Sequence, residues 1–433
     1  MAAKLDGTSE LPAQNPQMAS APLRRLINIG LLGERHQELG GEKAAGADHA
    51  AKAGCGAGLG ENLNSLAERL KRKSYKPQPP LRACMPKADG KPRPPGMAAC
   101  EGKLAQFAPE RVLEAAYEPK LRGRMFGFRP RLGCRGALKE PSRLIGYGRA
   151  GCIADAGAEG FFSNMERGRI LEPMRFRISG PNILRPIKKT PAAGAVEGGK
   201  WRASGKGSEQ GSLAPPTVAN ICMRCALAQW FDIAFKRQPC GGECGLAACA
   251  GDSAAAFQRK DGAERFLKAI ADGFALFGLE LERAKTRLAE FGGFAGENLK
   301  RRRQGKPETF DFLGSAHCRS KSKNGKFRAE RKTARGKLRL ELAEMNIWAE
   351  RSRHLPLKDL FFMISLKLRG RCQCCGIADN CRQLGSFGYF AKRMLFKRPD
   401  RRSRKKSCAW DGFEQMLKIF PLVLPRIHVN IYS

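Results

Sequence analysis

Four cysteines stand at a spacing that could hold a metal ion. Two, fourteen and three residues separate Cys222, Cys225, Cys240 and Cys244 in turn. Four thiolates at comparable spacings bind structural zinc, which would make the chain a zinc-dependent nucleic-acid-binding module. Spacing alone often gives false matches, so zinc binding is kept as an alternative and we expect no stoichiometric metal. The sixteen cysteines are scattered through 433 residues, and we expect them to be reduced thiols.

The chain is strongly basic. It carries 79 Lys and Arg against 41 Asp and Glu, a formal net charge of +38, which favours a polyanionic partner. Basic runs at 70–73, 300–303 and 401–406 would neutralise phosphates and release counterions. One such run could be only a solvated face, but the balance of the whole chain predicts binding to nucleic acid. No stretch approaches the ~20 apolar residues of a membrane span, so we expect a cytoplasmic protein without a membrane partner.

Apolar periodicity predicts the elements that would position a site. Residues 1–40 lack sustained periodicity and are predicted to be a weakly ordered extension. Leu63, Leu66 and Leu70 fall at helical spacing. Asp89-Gly90 lies between two extended segments, and this dipeptide is typical of a tight hairpin turn.

Further along, the pattern predicts a helix over 263–274 that is followed by a strand over 277–281. Alternating strands and helices indicate an α+β domain. From about residue 325 the pattern changes to long basic helices with one apolar face. We therefore predict a domain boundary near residue 316.

Eight short motifs follow one another along the chain. Their order and spacing resemble those of reverse transcriptases encoded by group II introns, from about residue 42 to the C-terminus. The resemblance implies a right-hand polymerase fold, with fingers and an antiparallel-sheet palm over 41–315 and an α-helical thumb and maturase domain over 316–433. The motifs lie at residues 85–94, 126–130, 159–164, 207–211, 219–221, 285–287, 310–314 and 367–370.

The resemblance implies a metal site in which three aspartates on adjacent palm strands hold two Mg²⁺ ions, because hard cations prefer carboxylate oxygens. The corresponding positions here are Gly157, Gly251 and Asp252, so only Asp252 keeps its carboxylate. Asp155 shares the strand face of Gly157, but it lies about 6.6 Å further along the strand, too far to act as a substitute ligand. We therefore expect impaired Mg²⁺ binding and impaired polymerase activity.

The resemblance also implies a nucleotide site. Phe162 would be the steric gate beside the sugar of the incoming nucleotide, and Gln210 would contact that nucleotide. Lys87 and Arg93 would hold its triphosphate, and Lys285 belongs to the same implied site. A guanidinium such as that of Arg93 matches phosphate oxygens. The alternative for Lys87 and Arg93 is a solvated hairpin flank.

The basic helices after residue 325 resemble the maturase-specific thumb that clasps intron RNA, a grip that depends on charge and shape. The implied partners are group II intron RNA, an RNA template, and a DNA primer or target. A homodimer stays open. The implied RNA-binding residues are Arg369, Arg371, Arg401, Arg402, Arg404, Lys405 and Lys406.

Several departures from the family share one form, since each corresponds to an A-to-G change at a middle codon position. Gly replaces Asp at Gly157 and Gly251, and Arg-Gly replaces His-Asp at Arg135-Gly136. Cys replaces Tyr at Cys249, Cys372, Cys374 and Cys375. So uniform a pattern indicates mutational bias in a relaxed, decaying or deliberately mutagenised copy. We predict a group II intron reverse transcriptase and maturase-like protein with an impaired polymerase. The alternatives are a non-catalytic maturase-type RNA-binding protein, a decayed mobile-element copy and the zinc-dependent module.

Overall fold

The computed structural model contains helices and strands in a mixed arrangement, which agrees with the predicted α+β class. Among the described helices, none is both long enough and apolar enough to cross a membrane. The residues that the structure describes are 28–41, 45–48, 52–83, 85–86, 92–93, 95–121, 123–129, 132–146, 149–164, 167–178, 181–203, 216–236, 242–322, 324–397 and 409–432.

The N-terminal layer is helical. The helix predicted from Leu63, Leu66 and Leu70 is confirmed, and all three leucines are buried. They belong to the same apolar core as Leu31 and Leu32 of the first helix, and each buried leucine contributes about 1.5–3 kcal/mol. The layer consists of α1 (Ile29–Glu38), α2 (Lys52–Gly56), α3 (Leu59–Lys71) and α4 (Cys100–Tyr117).

The N-terminal part of the chain also contains strands of two small sheets. The predicted hairpin strands are confirmed, because Met85 pairs with Arg93 in an antiparallel register. Their connecting turn at Asp89-Gly90 lies outside the described residues. The hairpin strands are β2 (Met85–Pro86) and β3 (Pro92–Arg93), and the other sheet has the order β4 (Gly96–Met97), β1 (Leu81–Arg82), β6 (Ala195–Glu197) and β7 (Lys200–Arg202).

The central sheet is antiparallel and buried. Its strands carry alanines such as Ala154, Ala247 and Ala255 on inward positions, so the bulk of the core comes from aromatic rings packed beside the sheet. Rings of Phe257 on the sheet and Phe266 on a covering helix lie 5.4 Å apart. The strand order is β10 (Glu280–Leu281), β5 (Cys152–Glu159), β9 (Asp252–Phe257) and β8 (Cys244–Cys249), and β11 (Arg287–Glu290) also pairs with β5.

Helices cover this sheet. The helix predicted over 263–274 is confirmed, but the strand predicted over 277–281 is present only at Glu280–Leu281. The chain first turns through Gly278, whose φ of 66° suits glycine. Of the helices, α5 (Cys134–Gly146) and α11 (Lys260–Ala275) contact the sheet strands directly. The other helices of this part of the chain are α6 (Phe161–Asn164), α7 (Arg167–Ile170), α8 (Glu172–Arg175), α9 (Pro181–Lys189) and α10 (Pro216–Met223, continued by wider turns at Arg224–Gln229 and Phe231–Phe235).

Prolines lie inside three of the described helices. They are Pro109 in α4, Pro141 in α5 and Pro186 in α9. A proline ring inside a helix removes a backbone donor and crowds the preceding turn, at a cost of about 3 kcal/mol. Because whole domains are stable by only about 5–15 kcal/mol, we expect these prolines to weaken the fold appreciably.

The C-terminal part joins a three-stranded sheet to long helices. Met345, Leu360, Ile364 and Leu368 form a separate apolar core between these helices. The change from strand to helix falls at Arg335, and the domain division at 316 stays a prediction. The elements are α12 (Ala295–Arg301), β12 (Phe310–Phe312), β13 (Ser315–Lys321), β14 (Phe327–Thr333), α13 (Arg335–Arg351), α14 (Leu357–Cys375), α15 (Cys381–Lys397) and α16 (Trp410–Ile419).

A buried carboxyl group on α4 makes stability depend on pH. Glu110 is 5% exposed, and its Oε1 accepts a hydrogen bond from the Thr217 hydroxyl at 3.2 Å. Burial, reinforced by the nearby Glu114, raises the pKa of Glu110 from 4.5 to about 7. Between pH 4.5 and about 7, therefore, Glu110 is protonated in the folded state but ionised in the unfolded chain.

Because that folded-state pKa is raised, the free energy of unfolding should fall by about 3 kcal/mol as pH rises from about 4.5 to 7. Glu110→Gln should remove this loss, so the variant should be the more stable protein at pH 8 and nearly equal to the unmodified protein near pH 4.5. Urea unfolding at both pH values measures the difference. The exposed Glu61→Gln is the control, and an equal pH response in both variants would contradict the assignment.

Candidate functional site

A tight hairpin at the centre of the sheet carries two of the three implied metal positions, Gly251 and Asp252. Strands β8 and β9 meet so that Cys249 pairs with Asp252, which leaves Ala250 and Gly251 as the turn. Ala250 adopts a φ of 57° there. The backbone N–H of Ala158 on β5 donates to the carbonyl oxygen of Gly251 at 2.9 Å. This bond fixes the turn against the neighbouring strand.

The three positions that the resemblance implies as metal ligands lie together at this turn. Gly157 on β5 is the direct cross-strand partner of Asp252 on β9. A Cβ atom built on Gly157 would lie 3.3 Å from Oδ1 of Asp252, and one built on Gly251 would lie 3.3 Å from Cβ of Phe161. A side chain at Gly157 would therefore adjoin the Asp252 carboxylate, and one at Gly251 would adjoin Phe161, but of the three positions only Asp252 bears a carboxylate.

Asp155 lies one strand repeat away from this point. It pairs with Ala254 on one side and with Arg287 on the other, whereas Gly157 pairs with Asp252. Burial raises the pKa of Asp155 to about 7, against the opposing effect of Arg287 and with smaller contributions from Asp252 and Asp311. Asp155 therefore lies within electrostatic reach of Asp252 and Asp311, but Gly157 and not Asp155 is paired with Asp252 next to the turn.

Asp252 begins β9, an interior strand of the sheet, where the strand leaves the hairpin turn. Asp252 is exposed as a residue, but partial desolvation of its carboxylate by the surrounding strand ends raises the pKa of that group. Lys285 lowers that pKa and Glu282 raises it. The Lys285 ammonium group lies 2.8 Å from a carboxylate oxygen of Glu282. Because Lys285 also acts on the pKa of Asp252, this predicted nucleotide-binding lysine lies within electrostatic reach of the implied metal positions.

The donor groups at the turn do not fit a pair of divalent ions. Mg²⁺ needs several oxygen ligands at about 2.0–2.1 Å in near-octahedral geometry. Within the described residues, no group of three mutually close His, Cys, Asp or Glu side chains includes Asp252 or Asp155. One carboxylate with a more distant second one cannot position two ions.

The remaining residues of the implied nucleotide site are only partly described. Arg93 lies on β3, and the structure describes its backbone position alone. Phe162 follows Phe161 in α6, again without a described side chain. Lys87 and Gln210 lie outside the described residues, so their roles stay predictions.

The four cysteines of the zinc alternative occupy different settings. Cys222 is buried on α10, and its thiol donates to the carbonyl oxygen of Ile170 at 3.7 Å. Cys225 lies in the following turn, with Oε1 of Gln229 at 3.8 Å. Cys244 begins β8. Cys240 lies outside the described residues, and the alternative stays untested.

Two of the predicted RNA-binding arginines are described, and they differ. Arg369 on α14 is exposed. Arg371 is 7% exposed, forms an ion pair with Glu341, donates to Oγ1 of Thr333 at 3.2 Å, and stacks on the ring of Phe387 at 4.9 Å. Its guanidinium is engaged by protein groups. Arg401, Arg402, Arg404, Lys405 and Lys406 lie outside the described residues.

An exposed aromatic pair on α15 was missed by the sequence reasoning. Tyr389 is 54% exposed and Phe390 is 44% exposed, with their ring centroids 5.7 Å apart. The guanidinium of Arg393 lies 5.8 Å from the Tyr389 ring centre. The signal in the sequence is the Tyr-Phe pair within a basic helix.

Comparison with known proteins shows which proteins the chain resembles. No protein-family model matches the chain. Protein YkfC of Escherichia coli strain K12 is 27% identical over 186 residues, which are 42% of this chain and 49% of YkfC. Group II intron-encoded protein LtrA of Lactococcus lactis subsp. cremoris is 30% identical over 162 residues, 37% of this chain and 27% of LtrA.

The chain is a relative of group II intron-encoded proteins. A third relative fits this relationship: an uncharacterized 91 kDa protein in a cob intron of Schizosaccharomyces pombe is 27% identical over 161 residues, 20% of its own length. The predicted resemblance to group II intron-encoded proteins is thereby confirmed over about 37% of the chain. The matched segments span less than half of each of these relatives.

Proposed function

We propose that this relative of group II intron-encoded proteins binds intron RNA and does not polymerise DNA. One observation carries the proposal: Gly157 directly faces Asp252, with space for a Cβ only 3.3 Å from the carboxylate. The geometry of a metal-binding turn is retained there, but its ligands are not. A palm of this kind can still support RNA binding, because that grip depends on charge and shape.

The proposed architecture is a right-hand polymerase with fingers and palm over 41–315 and a thumb and maturase domain over 316–433. The antiparallel central sheet supports the palm, and the helices α13 to α16 support the thumb. RNA template, DNA primer or target, and Mg²⁺ belong to the family function, which we propose is lost or weakened here. A decayed copy without function is the alternative.

The proposed RNA contact in the described part of the thumb combines charge with aromatic surface. Arg369 is exposed on α14, and Tyr389, Phe390 and Arg393 lie on α15. Exposed rings give bases a surface on which to stack, and neighbouring guanidinium groups attract phosphates. Arg371 is not part of this contact, since its guanidinium is already held inside the protein.

Joint Tyr389→Ala and Phe390→Ala substitution should weaken binding to intron RNA, because stacking contributes about 1–3 kcal/mol per base. The dissociation constant should rise by roughly 5- to 150-fold if one base stacks on the pair. Filter binding at fixed salt measures the change. Phe176→Ala is the matched control, because that ring is 79% exposed and lies beside two arginines. An equal loss in both proteins would contradict a stacking role for α15.

A further inference from the structure

A histidine and two cysteines from three different helices converge in the N-terminal layer. A ring nitrogen of His36 and the Sγ atoms of Cys55 and Cys100 all lie within 4.8 Å of one another. Helix α1 supplies His36, α2 supplies Cys55, and α4 begins at Cys100. Among the described residues, no other group of three potential metal ligands is this close.

One ring nitrogen of the histidine has no hydrogen-bond partner in the described part of the chain. His36 is 8% exposed, and its Nε2 is buried without a hydrogen bond. Leaving a buried polar atom unpaired is unfavourable, and such an atom in a native fold indicates an absent ligand or solvent molecule. Cys100 is also buried, while Cys55 is partly exposed. An ion could therefore reach the group from the Cys55 side.

Neighbouring contacts hold the three helices in place. The Lys52 ammonium group on α2 donates to the carbonyl oxygens of Gln37 and Leu39 at the end of α1, at 3.2 and 2.5 Å. The segment 45–48 passes so close to the start of α4 that a Cβ on Gly46 would lie 2.4 Å from the backbone nitrogen of Ala99. This close approach brings Asp48 into electrostatic reach of Cys100.

We propose that His36, Cys55 and Cys100 bind a zinc ion, with a water molecule or the Asp48 carboxylate as the fourth ligand. One imidazole and two thiolates form a donor set typical of tetrahedral zinc. On binding, each thiol releases its proton to solvent and forms a Zn–S bond, so that two thiolates balance the charge of the ion. The ion would join α1, α2 and α4. This site differs from the four cysteines of the zinc alternative, and it contradicts the expectation of no stoichiometric metal.

The test uses the full-length chain, stripped of metal and reloaded with Zn²⁺ or Co²⁺. Elemental analysis should find one equivalent of zinc per chain, and Co²⁺ should give the visible absorption of a tetrahedral thiolate site. Both signals should be lost in His36→Ala and in Cys55→Ser. They should persist in Cys381→Ser, the control at an exposed thiol, and in the double variant Cys222→Ser with Cys240→Ser. Loss in that double variant, or retention in Cys55→Ser, would overturn the proposal.

A second measurement needs no substitution and so does not depend on whether the variants fold. Alkylation of Cys55 in the unmodified chain is followed by mass spectrometry with and without Zn²⁺, with Cys381 as the internal reference. At a hundredfold excess of zinc over its dissociation constant, labelling of Cys55 should slow roughly 100-fold while that of Cys381 is unchanged. Equal rates with and without zinc would overturn the proposal.

Discussion

Protein carrying Gly157→Asp and Gly251→Asp together should extend a DNA primer on an RNA template in the presence of Mg²⁺, whereas the unmodified protein should not. The two substitutions place carboxylates beside Asp252, where the hairpin turn meets β5. Losing one well-placed charge-stabilising group commonly costs about 10²–10³ in rate, and such losses do not simply multiply within one unit. The double variant should therefore exceed the unmodified protein by at least about 10².

The backbone can accept both aspartates. Neither Gly157 nor Gly251 has a positive φ, so L side chains are not strained there. The nearest contacts of a new Cβ are 3.3 Å, to Oδ1 of Asp252 and to Cβ of Phe161, and a shift of a few tenths of an ångström relieves each. We expect the double variant to fold as the unmodified protein does.

The single variants are the matched controls. Each restores one ligand and should remain inactive, because two ions need the complete set. Activity in either single variant equal to that of the double variant would contradict the two-ligand explanation. If the double variant is inactive and unfolds at low denaturant, Pro109→Ala and Pro141→Ala should be added, since each proline costs its helix about 3 kcal/mol.

Binding of the unmodified protein to structured RNA should be steeply salt-dependent. The formal net charge of +38 implies many phosphate contacts, and each contact releases counterions. A protein with six to ten such contacts loses roughly 10³–10⁵ in affinity between about 50 and 200 mM salt. A salt titration of the dissociation constant measures the slope, and an affinity unchanged over this range would contradict the electrostatic basis of binding.

Arg369→Ala should reduce the slope of the logarithm of affinity against the logarithm of salt concentration by about one, since each cation that contacts a phosphate contributes about one unit to that slope. Arg265→Ala is the control, because that exposed arginine on α11 is paired with Asp261 at 3.1 Å. Equal slopes for the two variants would argue that Arg369 does not contact phosphate. Tight preference for one intron RNA would add support for a maturase role.

Local patterns predicted the parts of the fold that short-range physics decides. Helical spacing placed Leu63, Leu66 and Leu70 on the buried face of α3. Alternation along a strand placed Asp155 and Gly157 on the same side of β5, with Gly157 rather than Asp155 opposite Asp252. Periodicity failed just after α11, because Phe277 belongs to the turn through Gly278 rather than to a strand.

Two features of the structure were not predicted from the sequence: the burial of Arg371, and the cluster of His36, Cys55 and Cys100. Arg371 was predicted to bind RNA because it lies in a basic helix. Leu368, Cys372 and Cys375 are buried on the same helix at spacings that place Arg371 on their face, and this signal was available in the sequence. By contrast, nothing local in the sequence brings His36, Cys55 and Cys100 together, because each lies on a separate helix.

Primer extension by the unmodified, purified protein is the most direct test of the proposal that the hairpin turn before Asp252 lacks a working metal site. The assay supplies an RNA template, a DNA primer, deoxynucleotides and Mg²⁺, with the Gly157→Asp, Gly251→Asp protein as the positive control. We predict no extension by the unmodified protein. Extension that requires Mg²⁺ and is abolished by Asp252→Ala would contradict the claim, because Asp252 would then be binding a catalytic ion without the two missing carboxylates.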